Sequence, residues 1–237
     1  MKTSDLEKSL FEELFEKISD EAKSVLTAQF RMHPTISNLI NDVFYPTTTI
    51  EARKTAEERK HLLQWTPKSI VWLNTQYLEE NREQESLNSY KNSSEAKVIL
   101  KQLEEIEERY KGVNPKIKVG VISGYDAQKK SLINLIKPHD QKWKSINIMI
   151  DNVDAFQGSE TDISIYNIVR CNDQNKIGFL RDERRLNVAL SRGKTCLIIV
   201  GNADFANKAK TYKGNPFADI IRFIDRHPMK CVMEDIM

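Results

Sequence analysis

From residue 117 to residue 200, short apolar runs alternate with stretches whose apolar residues recur at helical spacing. Continuous apolar strands separated by helices are typical of a mostly parallel sheet that is covered by helices on both faces. The alternation therefore predicts one three-layer α/β domain. The predicted strands are residues 70–73, 117–122, 146–150, 163–169 and 196–200, and the helices among them are residues 127–136 and 184–190.

The segments outside this alternation have patterns of their own. The spacing of apolar residues predicts an amphipathic helix over residues 1–23 and a helical tail over residues 211–237. The domain itself is predicted to lie between them, at residues 24–210. Within the domain, the charged insertion at residues 51–68 is expected to be an exposed helix or a solvated face. The polar stretch at residues 79–92 is expected to be the most mobile loop.

Charge and composition exclude several classes of protein. Lys and Arg total 36 against 34 Asp and Glu, and the formal charge of +2 predicts no strong field that would by itself indicate nucleic-acid binding. Cys171, Cys196 and Cys231 are far apart and the four histidines are scattered, so neither a disulfide framework nor a metal site is predicted. No apolar run approaches the roughly 20 residues of a membrane-spanning helix. We therefore expect an intracellular protein, cytoplasmic or nuclear, with no membrane association.

Polar residues that directly follow apolar runs are candidates for a functional site, because ligands of open parallel sheets bind at the carboxyl ends of the strands. The first candidate segment places an arginine between a strand end and a helix start, where phosphate can bind. The second holds a hydroxyl, a glycine and an aromatic ring, and the fourth is a helix with basic residues at both ends. The four segments are residues 29–34, 121–128, 153–160 and 184–194.

Each segment also has a simpler interpretation. Arg31 or Arg192, taken singly, is more often a surface or salt-bridging residue. His33 is more often a packed or capping histidine, Phe156 is more often a core residue, and Tyr125 fits either interpretation. The sequence contains no Gly-x-x-x-x-Gly-Lys-Ser/Thr phosphate loop, no Gly-x-Gly-x-x-Gly motif and no nucleophile elbow. The residues alone therefore provide no nucleotide cradle and no catalytic nucleophile.

Taken in this order, the four segments resemble the second RecA-like lobe of superfamily 1B helicases of the nonsense-mediated-decay and DNA-replication-helicase type. Residues 29–34, Gln-Phe-Arg-Met-His-Pro, are similar to the family's Gln-Tyr-Arg-Met-His-Pro signature, and residues 153–160 are similar to its motif V. Residues 177–192 resemble motif VI with its lead-in, and residues 198–202 resemble the strand that follows it. The resemblance covers about residues 28–202. It implies a RecA-like fold, similar to that of P-loop NTPases but lacking its own P-loop.

Three positions depart from the family pattern. Phe30 replaces the commoner tyrosine, Gly124 replaces a proline, and Gly193 replaces an alanine. We expect Gly124 to loosen the loop that would contact nucleic acid, and Gly193 to lower helix propensity after Arg192. None of the three changes removes a charged group.

The resemblance implies a division of roles between two lobes. ATP and Mg²⁺ would be bound mainly by a first lobe, which we expect upstream in a longer protein or in a partner chain. Arg31 and Arg192 would be the catalytic arginines that reach the γ-phosphate. The residues implied to bind ATP or to couple it to the strand are Gln157, Gly158 and Glu160. The residues implied to contact single-stranded RNA or DNA are Ser123, Tyr125, Val153 and Asp154.

Two functions stand as hypotheses. The first is the C-terminal motor lobe of an ATP-dependent RNA or DNA helicase or translocase, monomeric and inactive on its own. The second is a non-catalytic RecA-like scaffold or regulatory module that binds a protein partner or nucleic acid through residues 51–64 and 79–92. Retention of both arginines favours the motor lobe, whereas no residue decides between RNA and DNA.

Overall fold

Six parallel strands form the central sheet of the computed structural model, which describes residues 14, 15, 17–178, 182–210 and 214–237. Most of the predicted N-terminal helix, and residues 179–181 of the motif VI lead-in, lie outside the described residues. The strands are β1 (Ala28–Gln29), β2 (Glu51–Ala52), β3 (Ile70–Asn74), β4 (Gln84–Ser86), β5 (Ser89–Lys91), β6 (Ile117–Ser123), β7 (Ile146–Asn152), β8 (Thr161–Asn167), β9 (Gly193–Gly201) and β10 (Cys231–Asp235). The order in the central sheet is β10-β3-β9-β8-β6-β7.

Helices cover both faces of this sheet. Their bounds are α1 (Pro34–Phe44), α2 (Ser93–Arg109), α3 (Asp126–Ile136), α4 (Glu183–Leu190), α5 (Ala203–Lys208) and α6 (Pro216–Arg226). Buried residues of α1, α4, α5 and α6 belong to one hydrophobic cluster, and those of α2 and α3 belong to another. The predicted three-layer α/β, RecA-like architecture is confirmed.

Alternation along the strands explains why two clusters form. Successive side chains of a strand point to opposite faces, so a strand buried on both faces must be apolar throughout. In β3, Ile70 and Trp72 pack in the first cluster, whereas Val71 and Leu73 pack in the second. No helix of the described residues is long and apolar enough to cross a membrane.

Side-chain caps define where the helices begin. Asn92, Asp182, Asn202 and Asn215 each accept a hydrogen bond from a backbone N–H in the first turn of the helix that follows. Short polar side chains at this position satisfy N–H groups that have no partner within the helix. His33 has the same role before Pro34, and it accepts from the Thr35 N–H at 3.0 Å.

The C-terminal segment differs from the predicted helical tail. Helix α6 is present, but Cys231–Asp235 forms β10, which pairs in parallel with β3 at the edge of the sheet. Cys231 is buried, while Val232 and Met233 are half-buried. An edge strand with a single partner needs only a short apolar stretch, and the Cys-Val-Met run was too brief to indicate a strand.

The structure also differs from two other predictions, a mobile loop at residues 79–92 and an exposed helix or solvated face at residues 51–68. Strands β4 and β5 form an antiparallel hairpin within residues 79–92, with Leu87 and Asn88 as its turn. Residues 51–68 contain strand β2 and turns but no helix, and His61 and Leu63 within them are buried. Only part of the charged insertion is therefore a solvated face.

Candidate functional site

The predicted site residues separate into two regions at opposite ends of the sheet. Arg31, Glu160 and Arg192 lie near the amino ends of β8 and β9, and we call this region the arginine cluster. Ser123 is the last residue of β6 and Tyr125 follows it, while Val153 and Asp154 directly follow β7. The structure therefore gathers only the second set at the carboxyl edge, where the general rule for parallel sheets placed all four segments.

The connection from β7 to β8 joins the two regions. It starts as a short 3-10 helix at Val153–Phe156 and ends at Glu160, directly before β8. Gln157 and Gly158 are the central residues of a turn closed by the Ser159 N–H, which donates to the Phe156 carbonyl at 3.0 Å. Gly158 has φ of 83°, as the third residue of a type II turn requires. Phe156 is fully buried, as its simpler interpretation predicted.

Arg31 lies in the loop between β1 and α1, with its side chain partly exposed. Its Nε atom donates to the Glu160 carboxylate at 3.3 Å, and its Nη1 atom donates to the Ser191 carbonyl at 3.2 Å. The loop is fixed from both sides. Gln29 Oε1 accepts the Arg31 N–H at 2.8 Å, and Arg59 donates to the Arg31 carbonyl at 2.7 Å.

Arg192 is buried at the start of β9, with only 8% of its surface exposed. Its guanidinium donates to the carbonyls of Val188 at 2.7 Å, Ser159 at 3.2 Å and Phe156 at 3.4 Å, and to the Ser191 hydroxyl at 2.9 Å. These are neutral acceptors. Burial, and then the neighbouring charge of Arg31, lowers the pKa of Arg192 to about 10, so the side chain remains a cation at neutral pH.

Glu160 and Lys194 complete the arginine cluster. The Lys194 ammonium lies 2.8 Å from Glu160 Oε1, while Arg31 contacts the other carboxylate oxygen. Lys194, and then Arg31, holds the pKa of Glu160 below its usual range, although burial acts in the opposite direction. Two arginines and one lysine therefore surround one glutamate, with Asp162 a further 3.9 Å from Lys194.

Gly193 has a role that sequence reasoning missed. It begins β9 instead of ending a helix, and a Cβ atom there would lie 2.6 Å from both the Ser164 hydroxyl and the Cys196 carbonyl. The pairing of β8 with β9 also shifts register at this point. Close packing, not helix propensity, is the physical reason for a glycine after Arg192.

At the carboxyl end, the structure exposes the predicted strand-contacting residues to different extents. The Ser123 side chain is fully buried, and its hydroxyl accepts the Tyr125 N–H at 3.2 Å, so it supports the loop from within. Tyr125 is also mostly buried, although it lines a cleft of about 610 Å³ together with Val153 and Asp154. Asp154 is exposed and pairs with Arg185 at 3.1 Å.

Arg170 is a buried residue at this end that sequence reasoning did not single out. Its Nε atom donates to Glu83 Oε2 at 2.8 Å, and its Nη1 atom donates to the Tyr125 hydroxyl at 3.1 Å. Burial acts to lower the pKa of Arg170, but Glu83 and Tyr125 raise it above its ordinary value. Gly178 packs directly on this group, since a Cβ there would lie 2.3 Å from Arg170 Nη1. The sequence signal for this buried group was the glycine in the motif VI lead-in, Gly178, which has φ of 69° in the structure.

The amino and carboxyl ends of the sheet differ in how well their charges suit a phosphorylated ligand. The arginine cluster provides three cations against two carboxylates. Among the residues that the structure describes, no carboxylate is a hydrogen-bond partner of Arg192. Guanidinium and ammonium groups arranged in this way can bind an anionic group such as a phosphate. Among the described residues, no three His, Cys, Asp or Glu side chains are grouped so that they could hold a metal ion.

Comparison with known proteins identifies the family of this chain. The profile of a family described as "AAA domain" matches residues 6–204, which is most of the chain. "Helicase sen1" of Schizosaccharomyces pombe is 32% identical over 196 residues, covering 83% of this chain and 12% of that protein. A "Regulator of nonsense transcripts 1 homolog" of Drosophila melanogaster is 36% identical over 187 residues, covering 75% of this chain and 15% of that protein.

These matches and the sheet topology define a second RecA-like lobe of the superfamily 1B type. The chain belongs to the AAA-domain family, and it is similar to the Sen1 and nonsense-transcript-regulator helicases. It spans about an eighth of the length of these two relatives. Among solved structures, the C-terminal domain of a possible DNA helicase from a Lactobacillus aligns with 86% of this chain and 98% of that chain, at 10% identity and a TM-score of 0.48.

Proposed function

We propose that this chain is the C-terminal motor lobe of an ATP-dependent helicase or translocase that acts on single-stranded RNA or DNA. In this proposal the lobe works as a monomer beside a first RecA-like lobe, which holds most of the contacts to ATP and Mg²⁺. The observation that carries the proposal is the placement of Arg31 beside Arg192 in a partly buried cluster, where the two positive charges repel each other.

Electrostatics supports a phosphate as the group that the arginine cluster would bind. Desolvation and like-charge repulsion both disfavour the Arg192 cation, and a nearby anion would offset both effects. A guanidinium at a transferring phosphoryl group neutralises charge that spreads over its oxygens, and such an arginine contributes about 10³ to 10⁵ in rate. In this role Arg31 and Arg192 would contact the γ-phosphate, and Glu160 would orient Arg31.

The β7–β8 connection supports coupling between nucleotide and strand. Glu160 at one end contacts Arg31, and Val153 and Asp154 at the other end line the carboxyl-end cleft. Gln157 and Gly158 form the turn between them. Val153, Asp154 and Tyr125 would contact a single strand by backbone-tracking and stacking, while Ser123 would hold their loop in place.

The experiment compares ATP turnover of this chain alone with that of the protein in which it is joined to its first lobe, with and without oligouridylate or oligothymidylate. Arg192→Lys in the two-lobe protein is expected to reduce strand-stimulated turnover by about 10³-fold or more, because an ammonium cannot reproduce the guanidinium fork. Arg31→Lys, at a more exposed position, is expected to act in the same direction. Nucleotide affinity should change little in both variants.

Arg109→Lys is the matched control, since Arg109 is an exposed residue at the end of α2 on the opposite layer. It should leave turnover unchanged. Wild-type turnover in both cluster variants would show that the arginines have no catalytic role. If the two-lobe protein shows no strand-stimulated turnover at all, the motor assignment is wrong and a scaffold that binds partners replaces it.

A further inference from the structure

Residues 53–60 of the charged insertion form a turn, which we call the strap. The Thr55 N–H donates to the Glu58 carboxylate at 2.8 Å, and the Glu58 N–H donates to the Thr55 hydroxyl at 3.2 Å, as in a capping box. The Lys54 ammonium lies 2.8 Å from the same carboxylate. The hydrogen bonds from Lys54, and then from Thr55, lower the pKa of Glu58 to about 2, so the carboxylate is ionised at neutral pH. The strap therefore has a defined shape although most of it is exposed.

The strap is attached at both ends to the loop that carries Arg31. At its start, the Arg53 N–H donates to the Gln29 carbonyl at 2.9 Å, which continues the pairing of β1 with β2. Near its end, the Arg59 guanidinium donates through Nε to the Arg31 carbonyl and through Nη2 to the Phe30 carbonyl, both at 2.7 Å. One rigid, planar group thus holds two consecutive peptide groups.

The side chains of Phe30 and Arg31 do little to fix the loop at this point. Phe30 is 65% exposed, and 30% of the Arg31 side chain is exposed. The position of the Arg31 backbone therefore depends on its hydrogen bonds. Its N–H donates to Gln29 Oε1 at 2.8 Å, and its carbonyl accepts from Arg59.

Arg59 differs from the other cations of the strap in its partners. Each of the others pairs with a glutamate of the same insertion: Arg53 with Glu51 at 3.0 Å, Lys54 with Glu58 at 2.8 Å, and Lys60 with Glu57 at 3.5 Å. Within the part of the chain that the structure describes, Arg59 pairs with no carboxylate, and its hydrogen bonds go to the two carbonyls of the Arg31 loop. Ordering a long side chain costs conformational entropy, and here that cost serves to fix the loop.

We propose that Arg59 is a positioning residue for ATP hydrolysis, which holds the Arg31 backbone so that the Arg31 guanidinium lies at the γ-phosphate. The inference rests on the proposed function and assigns a role to the charged insertion. Glu160 contacts the Arg31 side chain, whereas Arg59 contacts the backbone that carries it. Displacement of a reacting group by about 1 Å can reduce a rate by about 10²-fold, so a residue outside the reaction centre can have a large effect.

The test uses Arg59→Met and Arg59→Lys in the two-lobe protein. Arg59→Met removes both hydrogen bonds and is expected to lower strand-stimulated kcat about 10- to 100-fold, because Gln29 still holds the Arg31 N–H. The KM for ATP should change less than about 2-fold, since an interaction made only in the transition state affects kcat. Arg59→Lys keeps the charge but not the planar fork, and its kcat should stay at least about 5-fold below wild type. Full activity of Arg59→Lys would contradict the role of the fork.

A double variant distinguishes positioning from a general effect on the fold. If Arg59 acts through Arg31, Arg59→Met should lower the single-turnover rate less than about 2-fold in a protein that already carries Arg31→Lys. A further loss of about 10-fold in the double variant would show that Arg59 acts independently of Arg31, and the proposal would be wrong. Both single Arg59 variants should unfold within about 4 °C of wild type, as expected for the loss of surface hydrogen bonds.

Arg53→Met is the matched control, because Arg53 is an exposed arginine of the same strap whose side chain pairs with Glu51 and whose backbone N–H is retained. It should leave turnover unchanged. Wild-type kcat in Arg59→Met, with strand-stimulated turnover intact, would overturn the positioning role while the motor function stands. Absence of stimulated turnover in the wild-type protein would instead contradict the proposed function.

Discussion

Arg192 and Arg170 are both buried arginines, yet they lie at opposite ends of the sheet and have different partners. Arg170 is paired with Glu83 at 2.8 Å, so its charge is neutralised within the fold. Arg192 donates to three carbonyls and a hydroxyl, which satisfy its N–H groups without neutralising its charge. Their pKa values are accordingly shifted in opposite directions, upward for Arg170 and down to about 10 for Arg192.

This difference separates a structural arginine from one suited to an anionic ligand. A buried ion pair contains its own counterion and gains little from an added anion, and removal of one partner is strongly destabilising. A buried cation held by neutral dipoles remains attractive to an anion that arrives from outside. Partner chemistry is thus more informative about role than burial itself, since both side chains are almost equally buried.

The largest expected effect on stability follows from the Arg170 pair. Arg170→Met leaves the largely buried Glu83 carboxylate without its cation, although the Cys171 N–H and the Asn172 amide still donate to it. The variant should lower the free energy of unfolding by about 3 kcal/mol, the lower end of the cost of breaking a buried ion pair. Arg192→Met leaves neutral carbonyls without donors and should cost about 1–3 kcal/mol. Urea denaturation of the two variants measures both. Equal losses would show that the partner's charge does not distinguish the two sites.

Glu95 provides a pH-dependent version of the same contrast, because it is a buried carboxylate that has no cationic partner within the described part of the chain. It accepts the Val169 N–H at 2.8 Å, but burial raises its pKa from 4.5 to about 8. The folded state therefore binds a proton more tightly than the unfolded state. The free energy of unfolding should decrease as the pH rises from about 4.5 to about 8, by at most about 1.4 kcal/mol per pH unit.

Denaturation of Glu95→Gln across the same pH range should lack this contribution. Glu108→Gln, which changes an exposed carboxylate at the end of α2, is the control and should keep the wild-type pH dependence. A wild-type slope in Glu95→Gln would assign the pH dependence to another group.

The smallest effect on the free energy of unfolding is expected in the β7–β8 connection, which joins the arginine cluster to the carboxyl end of the sheet. Gly158→Ala introduces a side chain at φ of 83° into open space, so the cost is conformational strain of about 1 kcal/mol without a steric clash. Gly158→Asn should cost less, because Asn tolerates positive φ. Thermal unfolding of both variants measures the difference. A loss well above 1 kcal/mol would show that Gly158 packs against a group in the folded state.

Much of the fold could be predicted from periodicity in the sequence. Strands β6, β8 and β9 are buried and largely apolar on both faces, and such runs have few alternatives in a chain of this length. Strand β7, at the edge of the sheet, has isoleucines at alternate positions, a pattern that also indicates a strand. The β4–β5 hairpin was not predicted, because its strands are three residues long and polar, so no apolar alternation marks them. Strand β10 was not predicted, because its pairing partner is distant in the sequence. Cys231, for example, pairs with Ile70.

The site was predictable only in part, for a related reason. Motif order indicated Arg31, Arg192 and Glu160, and the structure brings these three together. The burial of Ser123 and the pairing of Arg170 with Glu83 are tertiary properties that no local pattern encodes.

The β7–β8 connection has a mechanical consequence. It must descend the length of β8, about 20 Å for seven residues, and cross over β6. It has only residues 153–160 to do so, and its 3-10 segment advances about 2 Å per residue. The segment therefore has almost no slack. The distance between Asp154 and Glu160 is therefore fixed, and it can change only if the 3-10 turn unwinds.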